Sequence, residues 1–365
     1  MTAAAMAEQT RKQWVFVGGY GTTIETFAFD PTSGLLTSVA LTDGVPESPT
    51  FLELDAQRNL LFAISEKAGA DSPEPGRATA YRVDPETGKL TRLNDVWSGG
   101  GNTVSVVTSR SGKHLLTASS STAEGTVAVI PILEGGKLGE PTDSRVAGKN
   151  AHGLVQSIDG QFVWVVCRGD EHVAQYRFDD TTGKLTPLTV PAVSVPAPSG
   201  PRRMAVHPTL NVAYVILDWS GEIVSYRFGA DGQLTEPSTV SIFPAGKAPK
   251  SVKGVMTAAE LEVSADGKKL YASTRTPDCQ SIAILDVASD GRLKLVANEE
   301  ARGAIHGPRH FLLSRDNQRM IVANQDNDTL LVLAVTPGSG ALSLLGGAVP
   351  TRVKKPNAVA FGALG

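Results

Sequence analysis

Ten ionisable side chains stand at the beginnings and ends of apolar runs in this chain, and they recur at matching places. His152, Arg202 and Arg309 open such runs, with Arg203 and His310 next to them and Glu260 alongside. Glu66, Arg168, Asp218 and Arg275 close such runs, at the position held elsewhere by Tyr20, Ser120 and Gln325. If these beginnings and ends lie on one side of the fold, several cations converge on one pit with carboxylates between them. Guanidinium groups hold carboxylate and phosphate through paired, charge-assisted hydrogen bonds, and clustered cations concentrate an anion from solution. The expected chemistry is therefore the binding of a small anionic ligand. Run ends are often polar because they are exposed, but arginine recurs here at aligned positions.

The elements that must position these residues are repeats. A hairpin unit occurs seven times, as in YRVDPETGKLT (Tyr81 to Thr91) and YRFDDTTGKLT (Tyr176 to Thr186). Its turn glycines, Gly34, Gly88, Gly136, Gly183, Gly232, Gly291 and Gly340, are separated by 54, 48, 47, 49, 59 and 49 residues. Glycine supplies the positive φ that a short turn needs. Before each hairpin lies another pair of strand-like runs, such as RRMAVH followed by AYVILD. A strand-only period near 50 residues predicts an all-β fold, a seven-bladed β-propeller with four antiparallel strands per blade. The chain starts with a second strand (Trp14 to Tyr20) and stops after a first strand (Asn357 to Phe361), so the two ends are expected to pair in one blade and close the ring. The predicted organisation is a flexible extension over 1–13 and one propeller over 14–365. In each blade the first strand starts, and the second ends, at the same mouth of the ring. The loop PAGKAPKSVKG (Pro244 to Gly254) should overhang this mouth, where Lys247, Lys250 and Lys253 either meet an anion or form a solvated basic loop. AGADSPEPGR (Ala68 to Arg77) reads as part of the rim.

Composition narrows the function. A net charge of −3 argues against a strongly basic nucleic-acid binder. Cys167 and Cys279 give neither metal spacing nor a disulfide framework and read as buried thiols. No run reaches the roughly 18 apolar residues of a membrane span, and the first residues lack an apolar signal core. A cytoplasmic monomer without metal or cofactor is expected, with no nucleic-acid or membrane partner. Nucleotide-binding loops, HExxH and the Gly-x-Ser-x-Gly elbow are absent from the sequence. His207, in the turn VHPTLN at the far end from the mouth, reads as structural.

At NAHGLVQSIDGQFVWVV, SGPRRMAVHPTLNVAYVILD, TAAELEVSADGKKLYASTR and HGPRHFLLSRDNQRMIVANQDNDT the chain resembles the lactonase-type seven-bladed propellers. That family includes bacterial-type 6-phosphogluconolactonases and fungal carboxymuconate lactonizing enzymes, and the resemblance covers nearly the whole chain. It implies an active site of His152, Arg202, Asp218 and Arg275, the same residues that the repeat alignment gathers. Two positions depart from the pattern: the carboxylate is usually Glu, and the segment often reads GPRH where this chain has Arg203. An extra cation there points to a more anionic or different substrate.

The resulting expectation is hydrolysis of a small anionic sugar lactone, with 6-phosphogluconolactone first. His152, with an ordinary pKa of about 6.5, would act as the base on water. Arg202 and Arg275 would hold the developing oxyanion or a carboxylate, and Asp218 would orient His152 or an arginine. Glu66, Arg168, Arg203, Glu260, Arg309, His310 and Gln325 would contact substrate. The alternatives are cycloisomerisation of a carboxylated muconate and a non-catalytic ligand-binding propeller.

Overall fold

A computed structural model describes residues 12–66 and 75–364. Most of the predicted rim segment, residues 68–74, and residues 1–11 of the predicted extension lie outside them. The described residues form seven four-stranded antiparallel sheets. Blades 1 to 6 follow one another along the chain, over 49–97, 102–148, 151–194, 201–241, 258–299 and 308–350. Blade 7 takes its innermost strand, Lys354–Ala363, from the C-terminal end and its other three from the N-terminal end. Val15 pairs with Phe361 and Val17 with Val359, so the predicted closure is the observed one. It removes the free edges that an open seven-blade stack would expose.

Each blade's second strand is apolar on both faces because it is sandwiched between neighbouring blades. Leu60–Ser65, Phe162–Cys167 and Val212–Leu217 are buried along their whole length. The core is accordingly seven clusters, one at each interface between adjacent blades. A recurring latch joins neighbours. The Trp164 indole donates to the Gly232 carbonyl at 3.1 Å, Tyr214 to Gly291 at 2.9 Å and Tyr271 to Gly340 at 2.9 Å. The acceptor is each time the turn glycine of the next blade's hairpin. Gly232 has φ 75°, and a Cβ there would lie 2.2 Å from the Phe162 ring. The sequence repeat is thus the trace of an inter-blade contact as well as of a turn.

Two local expectations change. Blade 2's innermost strand, Asn102–Thr108 (NTVSVVT), escapes the sequence pattern because it opens on no charged residue. In the same blade IPILEGGKLGE closes its turn, with Ile132 bridging Leu138 and the Leu133 N–H donating to the Lys137 carbonyl at 2.7 Å, but no regular outer strand follows it directly. The third strand ends at Pro131, Glu134–Gly136 forms a 3-10 turn, and the outer strand starts only at Asp143. The Asp-x-x-x-Gly turn of three other copies (Asp30 to Gly34, Asp84 to Gly88 and Asp179 to Gly183) is missing there, and Gly135 and Gly136 both take positive φ. Among the described residues no helix is long and apolar enough to cross a membrane.

Candidate active site

The innermost strands do not begin as regular strands. In blade 3 Ala151 pairs with Cys167 and Gly153 with Val166, which leaves His152 as an extra residue. Arg202 is skipped in the same way in blade 4, and Arg309 in blade 6. A β-bulge of this kind re-aims one side chain out of the alternating pattern. Gly153 shows how tight the packing is: a Cβ on it would lie 2.6 Å from the Arg202 carbonyl oxygen. The His-Gly pair of the sequence therefore joins a functional candidate to a position where blades 3 and 4 approach too closely for a side chain.

Asp218 is fully buried and is the anchor of one cluster. Arg275 Nη2 donates to its two carboxylate oxygens at 3.1 and 3.3 Å, and Arg168 Nη1 donates to Oδ2 at 3.4 Å. Arg202 Nε stands 3.9 Å from Oδ2 and has no hydrogen-bond partner among the described residues. Both inner arginines also grip the start of blade 5: Arg275 Nε donates to the Ala258 carbonyl at 2.8 Å and Arg202 Nη1 to that of Ala259. The expected partnership of Asp218 with an arginine is present, and no hydrogen bond joins Asp218 to His152.

His152 is buried, and its Nδ1 has no partner among the described residues. Burial pushes its pKa well below the usual imidazole range, and the charges of Arg202, Arg168, Arg203 and Arg309 push it further down. The expectation of an ordinary histidine pKa is thereby corrected: burial first, and then the surrounding arginines, favour the neutral ring. Arg309 is half-buried and makes no hydrogen bond or ion pair among the described residues. Tyr20 donates to Glu66 Oε1 at 3.3 Å. Burial first, and then Glu66, raise the phenol's pKa, while Arg309 and Arg202 oppose the rise.

Arg203, Glu260 and His310 form a second cluster. Arg203 Nη1 donates to Ser105 Oγ at 2.8 Å and Nη2 to the Val104 carbonyl at 3.3 Å, both in blade 2. Its Nε faces Glu260 Oε2 at 3.4 Å, and its guanidinium lies 4.1 Å above the Phe51 ring of blade 1. His310 Nε2 lies 3.8 Å from the same Glu260 oxygen and its ring meets Phe51 edge-on. Burial takes His310 down to about 4, against the pull of Glu260. Five blades thus contribute to a belt in which the side chains contact each other.

A family model described as "Lactonase, 7-bladed beta-propeller" matches residues 14–361. The chain belongs to the seven-bladed lactonase family. Among relatives of this lactonase-family propeller is a 6-phosphogluconolactonase of Formosa agariphila, 26% identical over 349 residues that cover 91% of this chain and 95% of the relative. A 6-phosphogluconolactonase of Bacillus subtilis is also 26% identical, over 85% of each chain. The solved periplasmic gluconolactonase of Pseudomonas aeruginosa superposes with a TM-score of 0.85 at 27% identity, covering 97% of this chain and all of its own.

Two open bays flank the arginines of the lactonase-family propeller. One, of about 500 Å³, is lined by Lys149, Asn150, Arg168, Trp219, Lys253 and Met256 among others. The other, of about 980 Å³, reaches Tyr20, Arg275 and Gln325. Met256 borders both, two residues past the segment Pro244 to Gly254 predicted to overhang the mouth. Of that segment's lysines only Lys253 lines either bay. Lys149 and Trp219 did not emerge from the sequence, although each adjoins a singled-out motif (NAHG and VILD). His207 has the predicted structural role: its Nδ1 accepts the Leu210 N–H at 2.9 Å inside the turn. Cys167 and Cys279 are free and buried.

Proposed function

We propose that this chain hydrolyses a small anionic sugar lactone, with 6-phosphogluconolactone as its first candidate and the cytoplasm as its place. The observation that carries the reading is a buried, partnerless His152 beside guanidiniums that outnumber their one buried carboxylate. Such a site is incomplete until an anion enters it. The named activities of the relatives supply the chemical class.

In this scheme Arg309, the unpaired cation, meets the substrate first, and its carbonyl oxygen turns towards Arg202 and Arg275. Neutral His152 takes a proton from water as that water's oxygen bonds to the carbonyl carbon. The arginines hold the resulting oxyanion, a kind of contact worth about 10²–10³ in rate. When the intermediate collapses, the ring C–O bond breaks and the leaving oxygen takes the proton from His152. A bound anion also offsets the guanidinium charges and so raises the pKa of His152 when a base is needed.

The test is hydrolysis of freshly generated 6-phosphogluconolactone, corrected for the spontaneous reaction, with wild type beside Arg275→Ala and His152→Ala. The expected outcome is a rate above background that falls about 10²–10³-fold in the first variant and about 10²–10⁴-fold in the second. No acceleration by the wild type sinks the reading. The likeness to a gluconolactonase favours one alternative, unphosphorylated glucono-1,5-lactone, which the same assay measures.

A further inference from the structure

We infer that the bay between Arg168 and Lys253 is a phosphate subsite that decides between phosphorylated and unphosphorylated lactones. This rests on the lactonase reading and names the substrate class of the same site. The two bays that share Met256 differ in charge. Lys149, Arg168 and Lys253 line the smaller one, and no carboxylate does. The larger one mixes Arg275, Lys354 and Lys355 with Asp326 and Asp328. There two of the three cations are already engaged, Lys354 Nζ with Asp328 at 2.9 Å and Arg275 with Asp218, and Asp326 and Asp328 offset the charge of Lys355. In the smaller bay the ammonium groups of Lys149 and Lys253 have no partner among the described residues. Asp170, near Lys149, is taken up by the backbone N–H of that residue at 2.7 Å.

Arg168 connects the bay to the reacting centre. Its Nη1 holds Asp218, while its Nε is buried and has no hydrogen-bond partner among the described residues. A phosphate monoester supplies the oxygens that this Nε and the two ammonium groups lack, and a dianion balances what three cations leave over. A volume of about 500 Å³ is within the roughly 300–1,000 Å³ of ordinary small-ligand sites. A neutral sugar hydroxyl gains far less from the same donors, so the bay discriminates by charge. Asn150 is two residues from His152 and Trp219 follows Asp218, so the bay adjoins the residues assigned to the reacting centre.

The test compares kcat/KM for 6-phosphogluconolactone and glucono-1,5-lactone in the wild type, in Lys149→Ala/Lys253→Ala and in Lys294→Ala, a charge control on the outer strand of blade 5. The double variant should lose about tenfold or more on the phosphorylated substrate and less than about threefold on the other. Equal losses on both substrates, or none on the phosphorylated one, overturn the assignment. Calorimetry with 6-phosphogluconate and gluconate gives a readout without turnover. The wild type should prefer the phosphorylated acid and the double variant should not. If the wild type hydrolyses neither lactone, the functional reading fails and calorimetry still judges the bay. If it binds both acids alike, the bay assignment falls even where hydrolysis is seen.

Discussion

Two clusters of charge lie within the ring, and they are built on opposite plans. Around Asp218 three guanidiniums approach one carboxylate, and Arg202 Nε, Arg168 Nε and His152 Nδ1 are left without partners among the described residues. Around Arg203 one guanidinium faces one carboxylate, both Nη atoms are hydrogen-bonded, and an aromatic ring covers the flat face. Burying a charge costs several kcal/mol unless a partner offsets it. The belt offsets that cost within the protein and ties five blades together. The mouth leaves part of it uncompensated, and an anionic ligand is what removes the excess. Arg203 Nε, Glu260 Oε2 and His310 Nδ1 also lack hydrogen-bond partners among the described residues, so it is the excess of positive charge, three guanidiniums to one carboxylate against one to one, that separates a binding site from an internal strut.

The contrast breaks or sharpens under substitution. The largest effect is expected for Asp218→Asn, which leaves the arginines without their counter-charge. Stability should fall by about 3–5 kcal/mol in a thermal or urea melt, and added inorganic phosphate should restore part of it. An unchanged melting temperature would mean that the mouth does not depend on its carboxylate. Next comes Arg203→Met, expected to cost about 2–4 kcal/mol of stability while kcat/KM of the folded protein stays within about threefold. The opposite pattern, a stable protein with little activity, would return Arg203 to the substrate-contacting role that the sequence assigned to it.

Smaller effects appear as pH dependences. Because burial and arginines hold His152 well below the ordinary imidazole pKa, it is neutral through the neutral range. The acid limb of kcat/KM should therefore lie below the ordinary imidazole pKa of about 6.5. Arg168→Ala removes one of the depressing charges and should move that limb upward. A limb near pH 6.5 in the wild type would contradict the cationic surroundings of the ring. Glu262, next to the belt, is raised from 4.5 to about 8, by burial first, with Glu260 adding to the rise and the Leu313 N–H at 2.7 Å opposing it. A carboxyl group with a raised folded pKa favours the fold when protonated. Its contribution is complete below about 4.5 and is lost as pH rises towards about 8. Glu262→Gln keeps an acceptor for Leu313 and should flatten the fall in stability across that window, read from melts at several pH values. An equal slope in both proteins would remove Glu262 from the account.

The sequence alone determined the ring. Seven turn glycines, alternating apolar runs and two out-of-phase ends are local features, and each is tied to a contact that every blade repeats. The alignment of strand ends also gathered the ionisable residues at one mouth, and family resemblance singled out His152, Arg202, Asp218 and Arg275. What it did not contain was the division of that set. Arg202 and Arg203 are neighbours in the chain, yet one meets Asp218 and blade 5 while the other reaches Ser105 and Phe51. Successive residues of a strand face opposite ways, and a bulge shifts that alternation by one. The bulge is a matter of register against the next strand, and no single run of residues records it. The pKa of His152 was likewise decided in the tertiary structure, because it is set first by the ring's own burial and then by four arginines, Arg202, Arg168, Arg203 and Arg309, that the fold brings around it.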